Sequence, residues 1–330
     1  MNYLVTGAAG FIGSHLSKRY STPDSNVYGL DSFSSYYSTE LKFKRVKDIE
    51  NSHPNFKFIQ ADLADLEFDL DFLLQDVKFD AIFHLAAQPG VRLPRDKHQI
   101  YLRDNVVAFE RLMQSCIKHK IPKFFYASSS SVYGNDSFAN QMSEEYKLES
   151  QQSFYGLTKF MNEQQAKLAM ISSDTKAIGL RFFTVYGPSG RPDMAYFKIL
   201  KSLLLQEKFV LYGDGSVSRD FTYISDVIES IASLDRWLDS IRSGTHEIFN
   251  IGGGNARSMQ ELINICENTA EKKLEFTRAN SEASDMKYTR ADFRKLERTT
   301  SFKPSVNLEH GIKETFAWMN ENLDLVKRIK

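Results

Sequence analysis

The sequence predicts an α/β fold in which helices cover both faces of a doubly wound parallel sheet. Short apolar runs, typical of buried strands, alternate with helical patterns through the first half of the 330-residue chain. Glycine-rich and polar residues directly follow several of these runs. Since the carboxyl ends of parallel strands meet at one edge of a sheet, we expect a ligand site at that edge.

The predicted elements follow one another in regular alternation until about residue 183. Strands are expected at residues 2–6, 26–31, 56–60, 80–84, 123–127 and 176–182. Helices are expected between them at 12–20, 38–51, 68–75, 101–119 and 153–171. The less regular second half is expected to hold a strand at 247–251 and helices at 194–206, 224–240, 258–271 and 306–322.

Composition excludes several classes of protein. The 42 basic residues balance 42 acidic ones, so no positive excess indicates a nucleic-acid partner. No apolar run approaches the roughly 18 residues of a membrane span, and no secretory leader is evident, so a cytoplasmic protein without a membrane partner is expected. Cys116 and Cys266 lie in apolar helical patterns and are interpreted as buried free thiols. The histidine spacing predicts no metal site.

The first strand is followed by a glycine motif that is typical of dinucleotide sites. Gly7, Gly10 and Gly13 recur every third residue before a helical stretch, with Phe11 and Ile12 between the last two. Such glycines let a pyrophosphate approach the backbone and the helix N-terminus. Asp31 ends the next strand, some ~20 residues on, where a carboxylate binds ribose hydroxyls and repels a 2′-phosphate. The motif therefore favours NAD over NADP.

These observations predict two parts. Residues 1–183 are expected to form a Rossmann-type NAD-binding domain, and residues 184–330 a smaller α/β substrate-binding lobe. Residues 224–251 are expected to pack back on the first domain.

A second motif indicates proton chemistry. Tyr155 and Lys159 are four residues apart in a helical stretch, which places them on one helix face. A neighbouring ammonium, together with a cationic nicotinamide, would lower the pKa of the phenol so that it could act as a base. The serine run 128–131 follows a predicted strand, and a hydroxyl there could bond the substrate oxygen that Tyr155 deprotonates.

These motifs resemble the extended short-chain dehydrogenase/reductase superfamily, in its usual order and over nearly the whole chain. The resemblance also rests on Asp62-Leu63, on the segments 84–87 and 180–188, and on 213–215, 219–224 and 249–252. It implies a nucleotide-sugar enzyme with tightly held NAD, a catalytic hydroxyl at Ser129, and a homodimer. The cofactor contacts that it adds are Asp62, Leu63, Leu85, Ala86, Ala87, Asn105 and Ser128.

Within the superfamily, the sequence favours epimerisation. Dehydratases and decarboxylating uronate enzymes carry an acid two residues after the catalytic hydroxyl, where this chain has Ser131. The stretches 88–92 and 191–195 resemble UDP-glucuronate 4-epimerases. The alternatives left open are a 4-epimerase of UDP-glucose or UDP-N-acetylglucosamine, a dehydratase or decarboxylase, and a silent NAD-binding scaffold.

A UDP-uronate substrate would need anchors for its diphosphate and its carboxylate. Arg219 is the candidate for the diphosphate, because a guanidinium matches phosphate oxygens. Neutral donors could hold the carboxylate out of line with the ketone of a 4-keto intermediate and so prevent loss of carbon dioxide. The complete set of expected substrate contacts is Arg92, Ser129, Ser130, Ser131, Thr184, Arg191, Arg219 and Asp285.

Overall fold

The computed structural model describes residues 1–134, 141–149, 151–280 and 286–329. Twelve strands are found in these parts of the chain, with the following bounds: β1 Asn2–Thr6, β2 Asn26–Asp31, β3 Phe56–Gln60, β4 Ala81–His84, β5 Lys123–Ser129, β6 Lys176–Phe182, β7 Thr184–Tyr186, β8 Phe209–Tyr212, β9 Ser218–Tyr223, β10 His246–Ile251, β11 Ala256–Ser258 and β12 Phe276–Ala279.

The described residues also form twelve α-helices and one π-helical segment, Leu102–Val107, between the fourth and fifth of them. The α-helices are α1 Phe11–Tyr20, α2 Thr39–Ser52, α3 Leu70–Asp76, α4 His98–Tyr101, α5 Ala108–Lys118, α6 Phe154–Ala169, α7 Ala195–Leu205, α8 Ile224–Leu238, α9 Met259–Ala270, α10 Arg294–Thr300, α11 Leu308–Glu321 and α12 Leu323–Arg328.

A seven-stranded parallel sheet forms the centre of the molecule, in the order β10-β6-β5-β4-β1-β2-β3. The strand order reverses between β1 and β4, and this reversal opens a crevice at their carboxyl ends. This is the predicted doubly wound α/β fold. The predicted strand near 247–251 is β10, which pairs with β6 and extends the sheet.

Alternate side chains of the central strands face the two helical layers. Leu4 packs into a core with α3 and α5, whereas Val5 packs into the core that holds α1, α2 and α8. Every residue of β4 is buried. Strands buried on both faces read as continuous apolar runs, and for this reason the sequence located them well.

A second apolar core is built mainly on α7, α9 and α11, and Leu41 of α2 also belongs to it. The chain after β6 also forms two small sheets, β11-β9-β7 and β12-β8. Helix α8 returns to the core of the large sheet through Val227 and Ile231. The boundary proposed at residue 183 falls between β6 and β7, and the division into two domains stays a prediction.

The main difference from the predicted elements is the helix expected at 101–119. The chain instead forms α4, the π-helical segment and α5 in succession. Asn105, inside the π-helical segment, is buried and bonds to the chain on both sides of it. The wider turn is set by these tertiary contacts, which leave no periodic signal in the sequence.

Two smaller findings concern the cysteines and the longest helices. Cys116 and Cys266 are both buried and unpaired, as expected. Among the described residues, no helix is both long enough and apolar enough to span a membrane.

Candidate active site at the carboxyl edge of the sheet

A cavity of about 870 Å³ lies at the carboxyl ends of the central strands and reaches into the second lobe. Most of the predicted site residues line it. They are Gly7, Gly10, Phe11, Ile12, Gly13, Asp31, Asp62, Leu63, Leu85, Ala86, Ala87, Arg92, Ser128, Ser129, Ser130, Ser131, Tyr155, Lys159, Thr184, Arg191 and Arg219.

The glycine loop between β1 and α1 has the shape of a phosphate cradle. A Cβ atom on Gly13 would lie 2.1 Å from the Gly7 carbonyl oxygen, so only glycine permits this packing. Gly7 itself has a φ of 72°, which favours glycine. Helix α1 begins at Phe11 and its first turn carries no charge, which leaves its N-terminal dipole available to an anion. The cradle therefore fits a dinucleotide pyrophosphate.

Asp31 lies beside this loop at the end of β2. Its two carboxylate oxygens accept hydrogen bonds from the Ala9 N–H at 3.1 Å and the Phe33 N–H at 2.8 Å. Burial raises the pKa of Asp31, and these bonds and the charge of Lys42 oppose the shift. Lys42 also lines the cavity, and its Nζ donates to Ser34. Asp31 is thus held at the position expected for the ribose that adjoins the pyrophosphate of a bound dinucleotide.

Asn105 is buried beside the loop that follows β4. Its side chain is buried, accepts the Gln88 N–H at 2.7 Å, and donates to the Thr158 hydroxyl at 3.1 Å. It is not among the residues that line the cavity. Its amide bridges the loop after β4 and helix α6, and its expected contact with the cofactor stays a prediction.

Ser129 and Tyr155 meet across the floor of the cavity. Ser129 ends β5, and its hydroxyl is hydrogen-bonded to the Tyr155 phenol at the start of α6. A Cβ on Gly156 would lie 2.5 Å from the Ser131 carbonyl oxygen, so this glycine lets α6 approach the serine run closely. Strand and helix thus bring the two predicted hydroxyl groups together.

Lys159 follows one helical turn later and is fully enclosed. Its Nζ lies 5.9 Å from the centre of the Tyr155 ring. Burial lowers the pKa of Lys159 to about 7, so the ammonium is only partly formed near neutral pH. Burial also raises the pKa of Tyr155, against Arg191 and the Ser129 hydrogen bond. The predicted lowering of the phenol pKa requires the bound cationic nicotinamide and stays a prediction, because in the cofactor-free protein burial disfavours the charged forms of both side chains.

A buried ion pair fixes the helix that carries these residues. Glu163, two turns after Tyr155, accepts hydrogen bonds from Arg181 Nε and Nη2, both at 2.8 Å, and from the Ser128 hydroxyl at 2.6 Å. Arg181 also donates to the Tyr133 hydroxyl at 2.9 Å. Because Ser128 precedes Ser129 on β5, this network links the helix to the strand at the reacting groups.

The polar groups expected to meet a uronate carboxylate lie around the same cavity. Ser130 and Ser131 begin a 3₁₀ turn after β5, and Thr184 begins β7. Each is partly exposed and lines the cavity. The cavity thus offers three neutral hydroxyl groups near Tyr155.

Arg191 has a partner that the sequence analysis did not identify. Its Nε and Nη2 donate to the two carboxylate oxygens of Asp193, at 3.1 and 2.6 Å. The Tyr36 hydroxyl is hydrogen-bonded to the same carboxylate, and Tyr36 and Asp193 both line the cavity. The positive charge of Arg191 is therefore balanced by a carboxylate of the protein itself.

The remaining predicted contacts lie toward the second lobe. The Arg92 guanidinium lies 5.4 Å from the centre of the Tyr212 ring, and both line the cavity. Arg219 lies on β9 and donates to the Ser218 carbonyl at 3.0 Å. The neighbouring Asp220 carboxylate is engaged by backbone N–H groups in the turn after β10. Asp285 lies outside the described residues.

Several cavity residues were not predicted as site residues, although Asp193 lies within the segment 191–195. Tyr36 lies in the loop after β2, and Lys42 lies in α2. Asp193 lies in the loop before α7, and Tyr212 lies in β8. The signal that was available is position, because Tyr36 and Lys42 follow the carboxyl end of a predicted strand. Their contacts with residues far along the chain could not be read from spacing.

Comparison with known proteins identifies the family. Residues 3–252 match the model of the NAD dependent epimerase/dehydratase family. An uncharacterised protein of Methanocaldococcus jannaschii is 39% identical over 331 residues, which cover 99% of each chain. A UDP-glucuronate 4-epimerase of Thermodesulfobacterium geofontis is 32% identical over 329 residues, again 99% of each.

A solved structure gives the same result. The UDP-glucuronic acid 4-epimerase from Bacillus cereus, in complex with UDP-glucuronic acid and NAD, is 34% identical. It superimposes with a TM-score of 0.89 over 98% of this chain and 100% of that chain. The fold and cavity define an enzyme of the nucleotide-sugar epimerase class with a dinucleotide site. The chain belongs to the NAD-dependent epimerase/dehydratase family.

Proposed function

We propose that the protein is a UDP-glucuronate 4-epimerase, which interconverts UDP-glucuronate and UDP-galacturonate. The observation that carries the proposal is the hydrogen-bonded pair of Ser129 and Tyr155 beside Lys159, at one end of a cavity whose other end is the glycine loop. The choice of a uronate is supported by the hydroxyl groups near this pair and by the similar enzymes that bear this name.

The protein side chains would carry the proton in the reaction. Tyr155 would accept the proton of the sugar C4 hydroxyl, while Ser129 hydrogen-bonds the same oxygen. NAD, when bound, supplies a hydride acceptor that later returns the hydride to C4. Lys159 would bind the cofactor ribose and, when protonated, stabilise the phenolate. Loss of the hydride leaves a planar ketone. Return of the hydride to the opposite face would invert C4, and Tyr155 would give its proton back to the C4 oxygen.

Turning the sugar requires an anchor that stays fixed. Arg219 lies on a strand of the second lobe, so it could hold the diphosphate while the hexose swings between two orientations. Arg92 and Tyr212 lie at the same side of the cavity and could contact the nucleotide. With the nucleotide part held in this way, the sugar would contact the protein only through hydrogen bonds to hydroxyl groups. These bonds can break and form again as the sugar turns.

With a uronate substrate, the 4-keto intermediate can also lose carbon dioxide, because its carboxylate is β to the ketone. Ser130, Ser131 and Thr184 would hydrogen-bond the carboxylate and keep its C–C bond out of line with the ketone. Neutral donors fix this orientation, and the position after the catalytic hydroxyl that would need an acid for elimination holds Ser131. The proposal therefore favours epimerisation over dehydration or decarboxylation.

The substrate assignment is tested by comparing kcat/KM for UDP-glucuronate with that for UDP-glucose and UDP-N-acetylglucosamine. We expect the uronate to be preferred, and Thr184→Val to release pentose by-product or to lose uronate turnover. Thr277→Val, which is exposed on β12 and does not line the cavity, is the matched control. A preference for a neutral sugar would favour the alternative 4-epimerase, and normal kinetics in Thr184→Val would remove that residue from the role.

We also infer a homodimer that forms through α5 and α6. Val107, Leu157, Leu168 and Ile171 are exposed apolar residues on or beside α5 and α6. Light scattering should give twice the chain mass, and Leu168→Glu with Ile171→Glu should give the single mass. The cytoplasmic location stays a prediction.

A further inference from the structure

An ion pair crosses the outer edge of the cavity, at the end of β3. The Arg103 guanidinium donates to Asp62 Oδ2, and its Nη1 also donates to Asp104 Oδ1 at 2.6 Å. Asp62 follows β3, whereas Arg103 lies in the π-helical segment 41 residues away. Arg103, Asp62 and Asp104 all line the cavity. The pair therefore connects two separate elements at the lining of the cavity.

The order of the strands indicates which part of a bound dinucleotide would lie near this ion pair. The pyrophosphate cradle is at β1, and Asp31, placed for the ribose, is at the end of the neighbouring β2. The next strand in the sheet is β3, so the adenine of a bound dinucleotide would extend toward Asp62 and Leu63. Arg103 would then lie over or beside the adenine ring.

The local structure keeps Arg103 in this place. Asn105, two residues later, is tied to Gln88 and Thr158 in the interior, so the π-helical segment is anchored on its inner side. The side chain of Asp62 is also held within its own loop, because its Oδ1 accepts the Ala64 N–H at 2.9 Å. The ion pair thus joins two anchored segments rather than two free side chains.

We propose that Arg103 acts as a clasp, which closes the adenine end of the NAD site through Asp62 and slows the loss of the cofactor. An epimerase regenerates its NAD in every cycle, so retention serves the reaction better than exchange. A guanidinium above an adenine ring would add attraction to its π face while its edge still bonds Asp62. The proposal rests on the NAD site and not on the identity of the sugar.

The test is the rate at which holoenzyme loses labelled NAD when excess unlabelled NAD is added. Because a half-exposed ion pair contributes little, we expect Arg103→Ala to speed the loss about fivefold, and Arg103→Lys to give an intermediate rate. Arg95→Ala removes an exposed arginine that does not line this cavity and should leave the rate unchanged.

Two further results separate the clasp from a general loosening of the site. Raising the salt concentration should speed NAD loss from the wild type and reduce its difference from Arg103→Ala, because an exposed ion pair is screened. Combining Arg103→Ala with Asp62→Asn should add little to Asp62→Asn alone. An unchanged or slower loss in Arg103→Ala would overturn the proposal, and so would full additivity of the two changes.

Discussion

Lys159 and Tyr155 share a buried environment that disfavours the charged form of each side chain. This burial lowers the pKa of Lys159 to about 7. The spacing of the two residues predicted their common face, and the structure places them so. Spacing carries no information on desolvation, which depends on what the rest of the chain packs around them. The protonation of the pair was for this reason the least predictable part of the site.

This shift has a consequence for the stability of the cofactor-free protein. Between pH 7 and the ordinary lysine value, the folded state binds fewer protons than the unfolded state, so the contribution of Lys159 to stability rises with pH. We expect Lys159→Met to be more stable than the wild type at about pH 6, and the difference to shrink by about pH 9.5. Thermal unfolding of both proteins without NAD measures it, and a pH-independent difference would contradict it.

The bidentate pair of Arg191 and Asp193 makes a second prediction at the level of single residues. In Asp193→Asn the guanidinium is free to bind the sugar carboxylate directly. We expect KM for UDP-glucuronate to fall about fivefold and kcat to fall with it, because a charge-assisted bond would hinder the turning of the sugar. Kinetics with UDP-glucose should change less. Asp214→Asn, an exposed carboxylate outside the cavity, is the control, and equal effects on both substrates would refute this role.

At the level of elements, the site depends on how α6 is fixed to the sheet. The ion pair of Glu163 and Arg181 connects α6 to β6, with side chains only 3% and 5% exposed, and the Ser128 hydroxyl of β5 donates to the same carboxylate. The sequence predicted the helix and both strands because their apolar patterns are local. It could not predict their connection, since Glu163 and Arg181 meet only after the sheet has formed.

Breaking this connection should affect both stability and catalysis. Glu163→Gln leaves the Arg181 cation buried without its partner, and we expect a loss of about 3 kcal/mol in the free energy of unfolding. We also expect kcat to fall more than KM, because the Ser129–Tyr155 geometry loosens. Glu229→Gln, which removes the half-exposed pair with Arg19, should cost under about 1 kcal/mol and leave kcat unchanged. Denaturant unfolding and steady-state kinetics test both, and similar losses in the two variants would count against the role of Glu163.

The turn between β1 and α1 gives a second prediction at this level. A Cβ on Gly13 would collide with the Gly7 carbonyl, whereas one on Gly253 would be in ordinary contact, no closer than 3.4 Å to its neighbours. We expect Gly13→Ala to lose NAD and stability, and Gly253→Ala to keep both. Bound NAD measured after purification decides this, and full retention in Gly13→Ala would show that the loop can move aside.

At the level of the whole molecule, the large sheet was predicted well and the cavity only in part. Strands buried on both faces and the glycine loop are encoded in short segments, so their patterns are visible in the sequence. Part of the cavity lining comes from segments that are far apart in the chain, as in the contacts of Arg103 with Asp62 and of Tyr36 with Asp193. Such contacts depend on the tertiary fold, as does the bridge that Asn105 makes between Gln88 and Thr158.

The most direct test of the account is product analysis by NMR after incubating the purified enzyme with UDP-glucuronate and no added NAD. We predict UDP-galacturonate of unchanged mass, formed with the cofactor that the protein retains. No conversion, even after NAD is added, would contradict the uronate assignment, and a product lighter by carbon dioxide would contradict the proposed control of the 4-keto intermediate.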